Sequence, residues 1–234
     1  MSVELRAGIL QFPEKPGSHV YLIKGTSKNV LIDTGMAANF ASLEASLLEL
    51  GLRPSDIHFI ILTHEHFDHI GATSFFYKTA VVAAHRLAAN KIELQDEFVT
   101  MMKSRDASSV PFHADVWLEP DTMIDLGNYR LRTVHTPGHT SGCICLYEPN
   151  ERLLFTGDTV FAGGTLSGIF SSGNISDYMN SLERLSALKV DELYPGHGWL
   201  SDSPEEDIRH GLEYARALFE DTKILFEALT KKGD

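Results

Sequence analysis

The sequence contains little cysteine, and its two cysteines stand almost side by side. Cys143 and Cys145 are separated by one residue, so in a strand both thiols would lie on the same face. Neighbours at this spacing make a poor disulfide. We therefore expect two reduced thiols in the core, which is typical of a reducing compartment, with metal ligation by the pair as the alternative.

Long apolar runs and an excess of positive charge are also missing. No segment approaches the roughly 20 apolar residues of a membrane span. The N-terminal stretch MSVELRAGIL has neither the basic flank nor the long apolar centre of a signal peptide, which predicts a cytoplasmic protein with no membrane partner. The formal charge of −12 repels phosphate backbones, so we expect no nucleic-acid partner.

The chain alternates segments with strand character and segments with helix character, and no linker rich in Pro, Gly or Ser divides it. A succession of hairpin, strand and helix occurs over 17–90 and again over 123–198. We therefore predict a single domain over 1–234, with two similar halves at about 1–120 and 121–234. The alternation indicates an α/β (α+β) fold with a mixed sheet, or two sheets, covered by helices.

Local patterns predict the individual elements. Strands are predicted over 17–25, 28–35, 57–63, 80–85, 143–149, 152–158 and the start of 192–198, with a further hairpin over 123–136. Helices are predicted over 39–52, 175–188 and 203–232. The remaining segment, 86–118, combines helical character with an irregular excursion before the next strand.

The densest group of metal-binding side chains is HEHFDH, residues 64–69. It follows an apolar segment that predicts a buried strand, so we place it in a strand-to-helix loop. His64 and His66 can converge on one cation there, and Asp68 and His69 can face a second. Imidazole nitrogens and carboxylate oxygens are zinc ligands at about 2.0–2.2 Å. Four ligands this close in sequence do not easily surround one ion, so the spacing favours a two-metal site.

Three later segments can supply the remaining ligands. HTPGHTSG contains His139, LLFTGDT contains Asp158, and ELYPGHG contains His197. Each lies just beyond a predicted strand or between sheet elements, where loops on a rigid scaffold assemble sites. Glycines beside each residue allow the backbone to approach a shared centre closely.

Five segments together resemble the signatures of the metallo-β-lactamase superfamily of metal-dependent hydrolases: LIDTG, HEHFDH, TPGHT, TGDT and PGHG, in this order between residues 31 and 198. The resemblance implies a four-layer αβ/βα sandwich, with two mixed β-sheets face to face and helices outside. It also implies a ligand set for two divalent ions, with one metal held by His64, His66 and His139, the other by Asp68, His69 and His197, and Asp158 bridging both. Asp33 in LIDTG would orient a ligand, with a structural cap as its alternative role.

The resemblance further implies the chemistry. The cofactors would be two divalent metal ions, zinc by preference, with iron or manganese as alternatives. A water shared by such ions becomes hydroxide near neutral pH and attacks a carbonyl carbon, and Asp68 would be the catalytic residue that accepts or relays the proton. We therefore expect hydrolysis of an ester, thioester or lactone of a small molecule. The sequence leaves open whether the protein is a monomer or a homodimer.

Individual branches of the superfamily match less fully. FTGDTVF resembles hydroxyacylglutathione hydrolase, the second glyoxalase, but the chain has TLSGIFSSGN in place of that family's Cys-Gly-Arg segment and only one helix-sized segment after His197. Acyl-homoserine lactonases share the ligand set, but Phe161 stands where they have tyrosine. Persulfide dioxygenases, which bind one iron through two histidines and an aspartate, are the oxidative alternative. Flavodiiron proteins usually have Glu at the place of His66, so the chain departs from that family. A purely structural metal site is a further alternative, but such sites are usually closed and rich in cysteine, whereas this set has seven N and O ligands.

Several other residues are weaker candidates. His113 lies in the excursion and is a candidate for substrate contact. Tyr194 is expected to pack in the core, with an approach to the site as the alternative. The other histidines are expected to be structural or exposed: His19, His58, His85, His135 and His210. Apolar residues that could line a pocket, and would then favour an acyl substrate, are Phe98, Met101, Met102, Phe112, Leu166, Ile169 and Phe170. Ordinary packing is the alternative for each.

Overall fold

Seven strands form the first sheet in a computed structural model that describes residues 2–13 and 16–230. In spatial order, which is also chain order, they are β1 (Val3–Arg6), β2 (Ile9–Phe12), β3 (Val20–Lys24), β4 (Asn29–Ile32), β5 (Phe59–Leu62), β6 (Val81–His85) and β7 (Val116–Leu118). The first four pair antiparallel and β4 to β7 pair parallel. The sheet is therefore mixed.

Five strands form the second sheet. They are β8 (Met123–Asp125), β9 (Arg130–His135), β10 (Ile144–Glu148), β11 (Leu153–Gly157) and β12 (Glu192–Pro195). Their spatial order is β12-β11-β10-β9-β8, and only β11 and β12 pair parallel. The predicted hairpin over 123–136 is confirmed as β8 and β9, which turn through Gly127, a residue with φ of 95°.

Helices cover the outer faces of both sheets. They are α1 (Phe40–Glu49), α2 (Phe67–Ile70), α3 (Arg86–Glu93), α4 (Glu97–Thr100), α5 (Met102–Arg105), α6 (Ile175–Ser186) and α7 (Pro204–Thr230). The terminal helix was predicted to reach residue 232, and its last two positions lie outside the described residues. In the described ranges, no helix combines the length and apolar character that crossing a bilayer requires.

Three apolar clusters show why the layers stack. Alternate side chains of the two sheets meet in the middle cluster, where Ile23 and Ile61 of the first sheet pack with Leu146 and Phe155 of the second. A second cluster joins the other face of the first sheet to α1 and α3, and a third joins the second sheet to α6 and α7. Because a sheet buries both faces only when it is covered on both, the result is the expected four-layer sandwich.

Three local details differ from the prediction. Strands β1 and β2, which pair through a turn at Gly8 (φ 80°), were not predicted, and β7 lies where an irregular excursion was expected. The HEHFDH segment is only half a loop, since α2 begins at Phe67 and includes Asp68 and His69. His66 stands at the residue before this helix, with an extended backbone.

Candidate metal centre

Loops from both sheets bring the predicted ligands to one rim of the sandwich. The segment from His64 to His69 follows β5 of the first sheet, and His139 lies in the loop between β9 and β10 of the second. Asp158 follows β11, and His197 follows β12. Because β11 and β12 are parallel neighbours, their carboxyl ends lie side by side and place these two residues together.

The first group of candidate ligands consists of three buried imidazoles, called here the histidine triad: His64, His66 and His139. His66 Nδ1 lies 3.1 Å from His64 Nε2 and 2.9 Å from His139 Nε2. Tetrahedral ligands at 2.0–2.1 Å from a zinc ion are about 3.3 Å apart. The three nitrogens therefore have the spacing of ligands around one small cation.

The second group, called here the mixed triad, consists of Asp68, His69 and His197. His197 Nε2 lies 3.2 Å from Asp68 Oδ2 and 3.3 Å from His69 Nε2. His69 is fully buried, whereas the His197 side chain is 33% exposed. This triad therefore forms the part of the centre that is open to solvent.

Asp158 lies between the two triads. Its Oδ1 is 3.2 Å from His69 Nε2 and 3.5 Å from His197 Nε2, while its Oδ2 is 3.6 Å from His139 Nε2. Oδ1 is buried and makes no hydrogen bond within the described residues. A buried carboxylate oxygen without a donor is costly, and a cation between the triads would satisfy it.

Hydrogen bonds fix the orientation of two of the imidazoles. His69 Nδ1 donates to Asp33 Oδ2 at 2.7 Å, and His139 Nδ1 donates to the carbonyl oxygen of Gly168 at 2.5 Å. In each ring the other nitrogen then faces the centre, which is the usual arrangement of a metal-ligating histidine.

Asp33 also fastens the loop that carries the ligands. Its carboxylate accepts from the Thr63 backbone N–H and hydroxyl, both at 2.7 Å. Its backbone has a φ of 59°, a conformation that Asp tolerates better than most residues. Asp33 thus contacts both a candidate ligand and the loop that carries it, as each of the two predicted roles requires.

Protonation differs between the triads. Burial, together with neighbouring imidazoles, holds the pKa of His64 well below its usual range and lowers that of His66 to about 3. Burial likewise lowers the pKa of His139. These rings are neutral at pH 7, so each ring with one outward N–H directs a lone pair inward. Such converging lone pairs repel one another unless they share a cation.

Carboxylates dominate the mixed triad. Burial lowers the pKa of His69, but Asp158, Asp33 and Asp68 outweigh it and raise that pKa well above the usual value. The same balance raises the pKa of His197, where the hydrogen bond with Asp68 is the largest opposing cause. This half of the centre attracts positive charge, and a divalent cation can replace the protons. The residues of both triads therefore fit divalent cations.

Two neighbouring features hold the ligand loops together. A Cβ at Gly196 would lie 2.6 Å from Asp158 Oδ1, so only glycine lets this loop approach so closely. Glu65 is buried, and its Oε2 accepts from the Thr140 hydroxyl at 3.0 Å, which joins the HEHFDH segment to the loop of His139. Burial raises the pKa of Glu65 to about 7.

The other candidate residues lie elsewhere. Tyr194 is in the core between the sheets, and exposed His113 contacts the Tyr77 hydroxyl at 2.9 Å. Cys143 and Cys145 are free, buried thiols, and the groups of potential metal ligands found in the described residues contain no cysteine.

Apolar side chains border the centre on two sides. The Phe170 ring lies 4.8 Å from the His66 ring, and the Phe161 ring lies 6.1 Å from the His197 ring. Trp199 was not among the predicted pocket residues, although its position directly after the ligand segment PGHG indicated that it could border the site.

Comparisons with known proteins agree with this geometry. The profile of the metallo-beta-lactamase superfamily matches residues 15–197. Acyl-coenzyme A thioesterase MBLAC2 of Homo sapiens is 30% identical over 211 residues, which cover 77% of this chain and 72% of that protein. Hydroxyacylglutathione hydrolase of Bartonella tribocorum is 29% identical over 175 residues, covering 73% of this chain and 61% of that protein.

A solved structure shows the same fold. A metallo-beta-lactamase family protein of Thermus thermophilus superposes with a TM-score of 0.75 at 25% identity, over 93% of this chain and 82% of that one. With the sandwich, the ordered signatures and the profile match all in agreement, the chain belongs to the metallo-beta-lactamase superfamily of hydrolases.

Proposed function

We propose that this protein hydrolyses small-molecule thioesters, with two divalent cations, zinc by preference, held by the histidine triad and the mixed triad. The observation that carries the proposal is the convergence of seven nitrogen and oxygen ligands beside exposed apolar side chains. Among the relatives, the names acyl-coenzyme A thioesterase and hydroxyacylglutathione hydrolase support a thioester as the substrate class.

Bound cations of this kind act as Lewis acids and lower the pKa of a coordinated water from 15.7 toward about 7. The side chains of the protein then have to manage the proton. Burial raises the pKa of Asp68, but His69 and His197 outweigh this and hold it below the usual value. Asp68 is therefore an ionised carboxylate at the open side of the centre, where it is suited to accept the proton that water loses.

The leaving group favours a thioester over an oxygen ester. A thiol has a pKa of about 8.5 and leaves as thiolate without a strong acid, whereas an alkoxide needs protonation. At the place where a tyrosine hydroxyl would assist a lactone, Phe161 presents only a ring, 6.1 Å from the His197 ring. Glu65 has a raised pKa, as a general acid for an alkoxide leaving group needs. Its side chain is fully buried and hydrogen-bonded to the Thr140 hydroxyl, so it is not placed to donate that proton.

A substrate panel with and without metal tests the proposal. Chelator-stripped protein would be restored with zinc, manganese or iron and assayed on acyl-coenzyme A, hydroxyacylglutathione, acyl-homoserine lactone, carboxylic esters and phosphoesters. We expect activity on thioesters to return with about two zinc ions per chain and to exceed that on oxygen esters by tenfold or more.

The same panel contains the outcomes that contradict the proposal. Equal rates for stripped and restored protein would rule out metal-dependent hydrolysis. A preference for lactones would support the lactonase alternative. Oxygen uptake with a persulfide substrate, in the iron-restored protein alone, would support the dioxygenase alternative.

A further inference from the structure

A cavity of about 180 Å³ opens beside the mixed triad. It is lined by Phe161, Ala162, Thr165, His197, Gly198 and Trp199. One wall is therefore a candidate metal ligand, and the others come from the loop after β11 and the loop after β12. A group in this cavity lies directly beside the centre.

The walls of the cavity are mostly apolar and contain an exposed tryptophan. Trp199 is 75% exposed, although an indole is one of the side chains that gains most from burial. A Cβ added at Gly198 would meet no atom within 4 Å, so the space in front of this backbone is open. Exposed aromatic surface beside a concave site is typical of ligand binding.

We propose that this cavity binds the acyl group of the thioester and restricts the enzyme to short-chain or single-ring acyl groups. The inference rests on the proposed function. The coenzyme or peptide part of a thioester is charged and polar, and these walls offer few partners for such groups. The acyl group is apolar and is joined directly to the carbonyl carbon, so it must lie next to the centre during the reaction.

The volume sets the expected size limit. An enclosed apolar cavity of about 150 Å³ holds one benzene molecule. This cavity of about 180 Å³ is open to solvent on one side, so its walls can cover a benzoyl ring or about the first four to six carbons of a chain. A palmitoyl chain would have to leave the cavity and expose most of its methylenes to water. Each methylene that is buried should raise kcat/KM about fourfold, so kcat/KM should rise with chain length only until the cavity is full.

A second apolar surface provides the competing location. Phe98, Ile169 and Phe170 are 88%, 41% and 42% exposed, and the Phe98 carbonyl accepts from Ser171 Oγ. This surface borders the histidine triad through Phe170 and is open. If the acyl chain lay there, no sharp limit on chain length would be expected.

The first test measures kcat/KM for coenzyme A thioesters from acetyl to palmitoyl, and for benzoyl-coenzyme A. We expect a maximum at about four to six carbons. Ala162→Leu narrows the cavity and should lower the hexanoyl-to-acetyl ratio about tenfold or more, the size of effect that one or two methylenes have in an apolar pocket. Trp199→Ala widens it and should shift the maximum to longer chains. Trp117→Ala is the matched control, because Trp117 lies on β7, the edge strand of the other sheet.

The second test reads occupancy without catalysis. The chain has two tryptophans, so Trp117→Phe leaves Trp199 as the only one. Titration with hexanoate or benzoate should change its fluorescence in a saturable way. Trp199→Phe, which retains Trp117, should show no change.

Three results would overturn the inference. They are an unchanged chain-length profile in both cavity variants, no change of Trp199 fluorescence on titration, or a change of chain-length preference caused by Phe98→Ala or Phe170→Ala instead. The proposed function fails separately, if the wild-type protein hydrolyses no thioester of the series.

Discussion

The two halves of the candidate metal centre differ in the charge and the solvent access that the fold gives them. The histidine triad is buried and electrically neutral, because burial lowers the pKa of its rings. The mixed triad contains Asp68, reaches solvent at His197, and has histidines whose pKa values are raised. Asp158 lies within 3.6 Å of a histidine of each triad.

This difference assigns separate tasks to the two sides. Neutral, buried imidazoles bind a cation without first losing protons, so the histidine triad binds metal more readily at neutral pH. At the mixed triad a cation has to displace protons, but an ionised carboxylate and an open side are available for chemistry. The apolar cavity also adjoins this side, through His197. We therefore expect binding strength from the histidine triad and proton transfer from the mixed triad.

The largest effect is expected from removing the group that both triads share. Asp158→Asn should lower the proposed thioesterase activity by more than about 100-fold, because loss of an outer partner of a metal ligand already costs about 10–100-fold. It should also reduce bound zinc at both triads. Zinc content and kcat/KM would be measured together. Asp125→Asn, on an exposed side chain of β8, is the control. Full activity in the Asp158 variant would disprove the bridging role.

Single ligand deletions should separate the two sites. His66→Ala and His197→Ala should each leave about one zinc ion per chain, and His197→Ala should retain the tighter one because the histidine triad is intact. Equilibrium dialysis against a zinc indicator measures both quantities, and His210→Ala on α7 controls for histidine loss at an exposed position. Loss of all zinc in both variants would show one cooperative site instead of two.

Removing the charge of Asp33 should affect one triad more than the other. Asn at this position keeps an oxygen for the Thr63 N–H, but no longer offers His69 a carboxylate. We expect zinc affinity at the mixed triad to fall about 10–100-fold, with the histidine triad unchanged. If both affinities fall equally, the main role of Asp33 is to hold the loop.

Acidification should empty the mixed triad first. A histidine with a raised pKa takes up its proton as pH falls through that value and loses the lone pair that binds metal, whereas His66, with a pKa of about 3, stays neutral. As pH falls, one zinc ion per chain should therefore be released from the mixed triad before the other leaves the histidine triad. Zinc measured in the filtrate across a pH series checks this, and simultaneous release of both would contradict the comparison.

Sequence alone predicted which segments lie together at the rim of the sandwich, but it did not predict the short strands β1, β2 and β7. The ligand segments follow strands whose apolar patterns are clear, such as β5 and β11, so strand ends and ligands could be placed together. Strands β1 and β2 are only four residues each, and β7 only three. Segments this short contain too little of the alternating apolar pattern to indicate a strand. Strand β7 also pairs with β6, a partner distant in sequence that a local pattern does not reveal.

The cavity was also beyond the reach of the sequence. Phe161 and Trp199 are 38 positions apart in the chain, and they face one cavity only because β11 and β12 pair in parallel. The sequence did identify Phe161, as a departure from the tyrosine of lactonases. That departure shows only that a tyrosine hydroxyl is absent from this position. The structure shows that the Phe161 ring lines the cavity beside His197.

The most direct test of the central claim is a crystal structure of the zinc-loaded protein with anomalous diffraction data collected at the zinc edge. Two anomalous peaks are expected, one among His64, His66 and His139 and the other among Asp68, His69 and His197, with Asp158 in contact with both. A single peak, or peaks away from these seven side chains, would contradict the account.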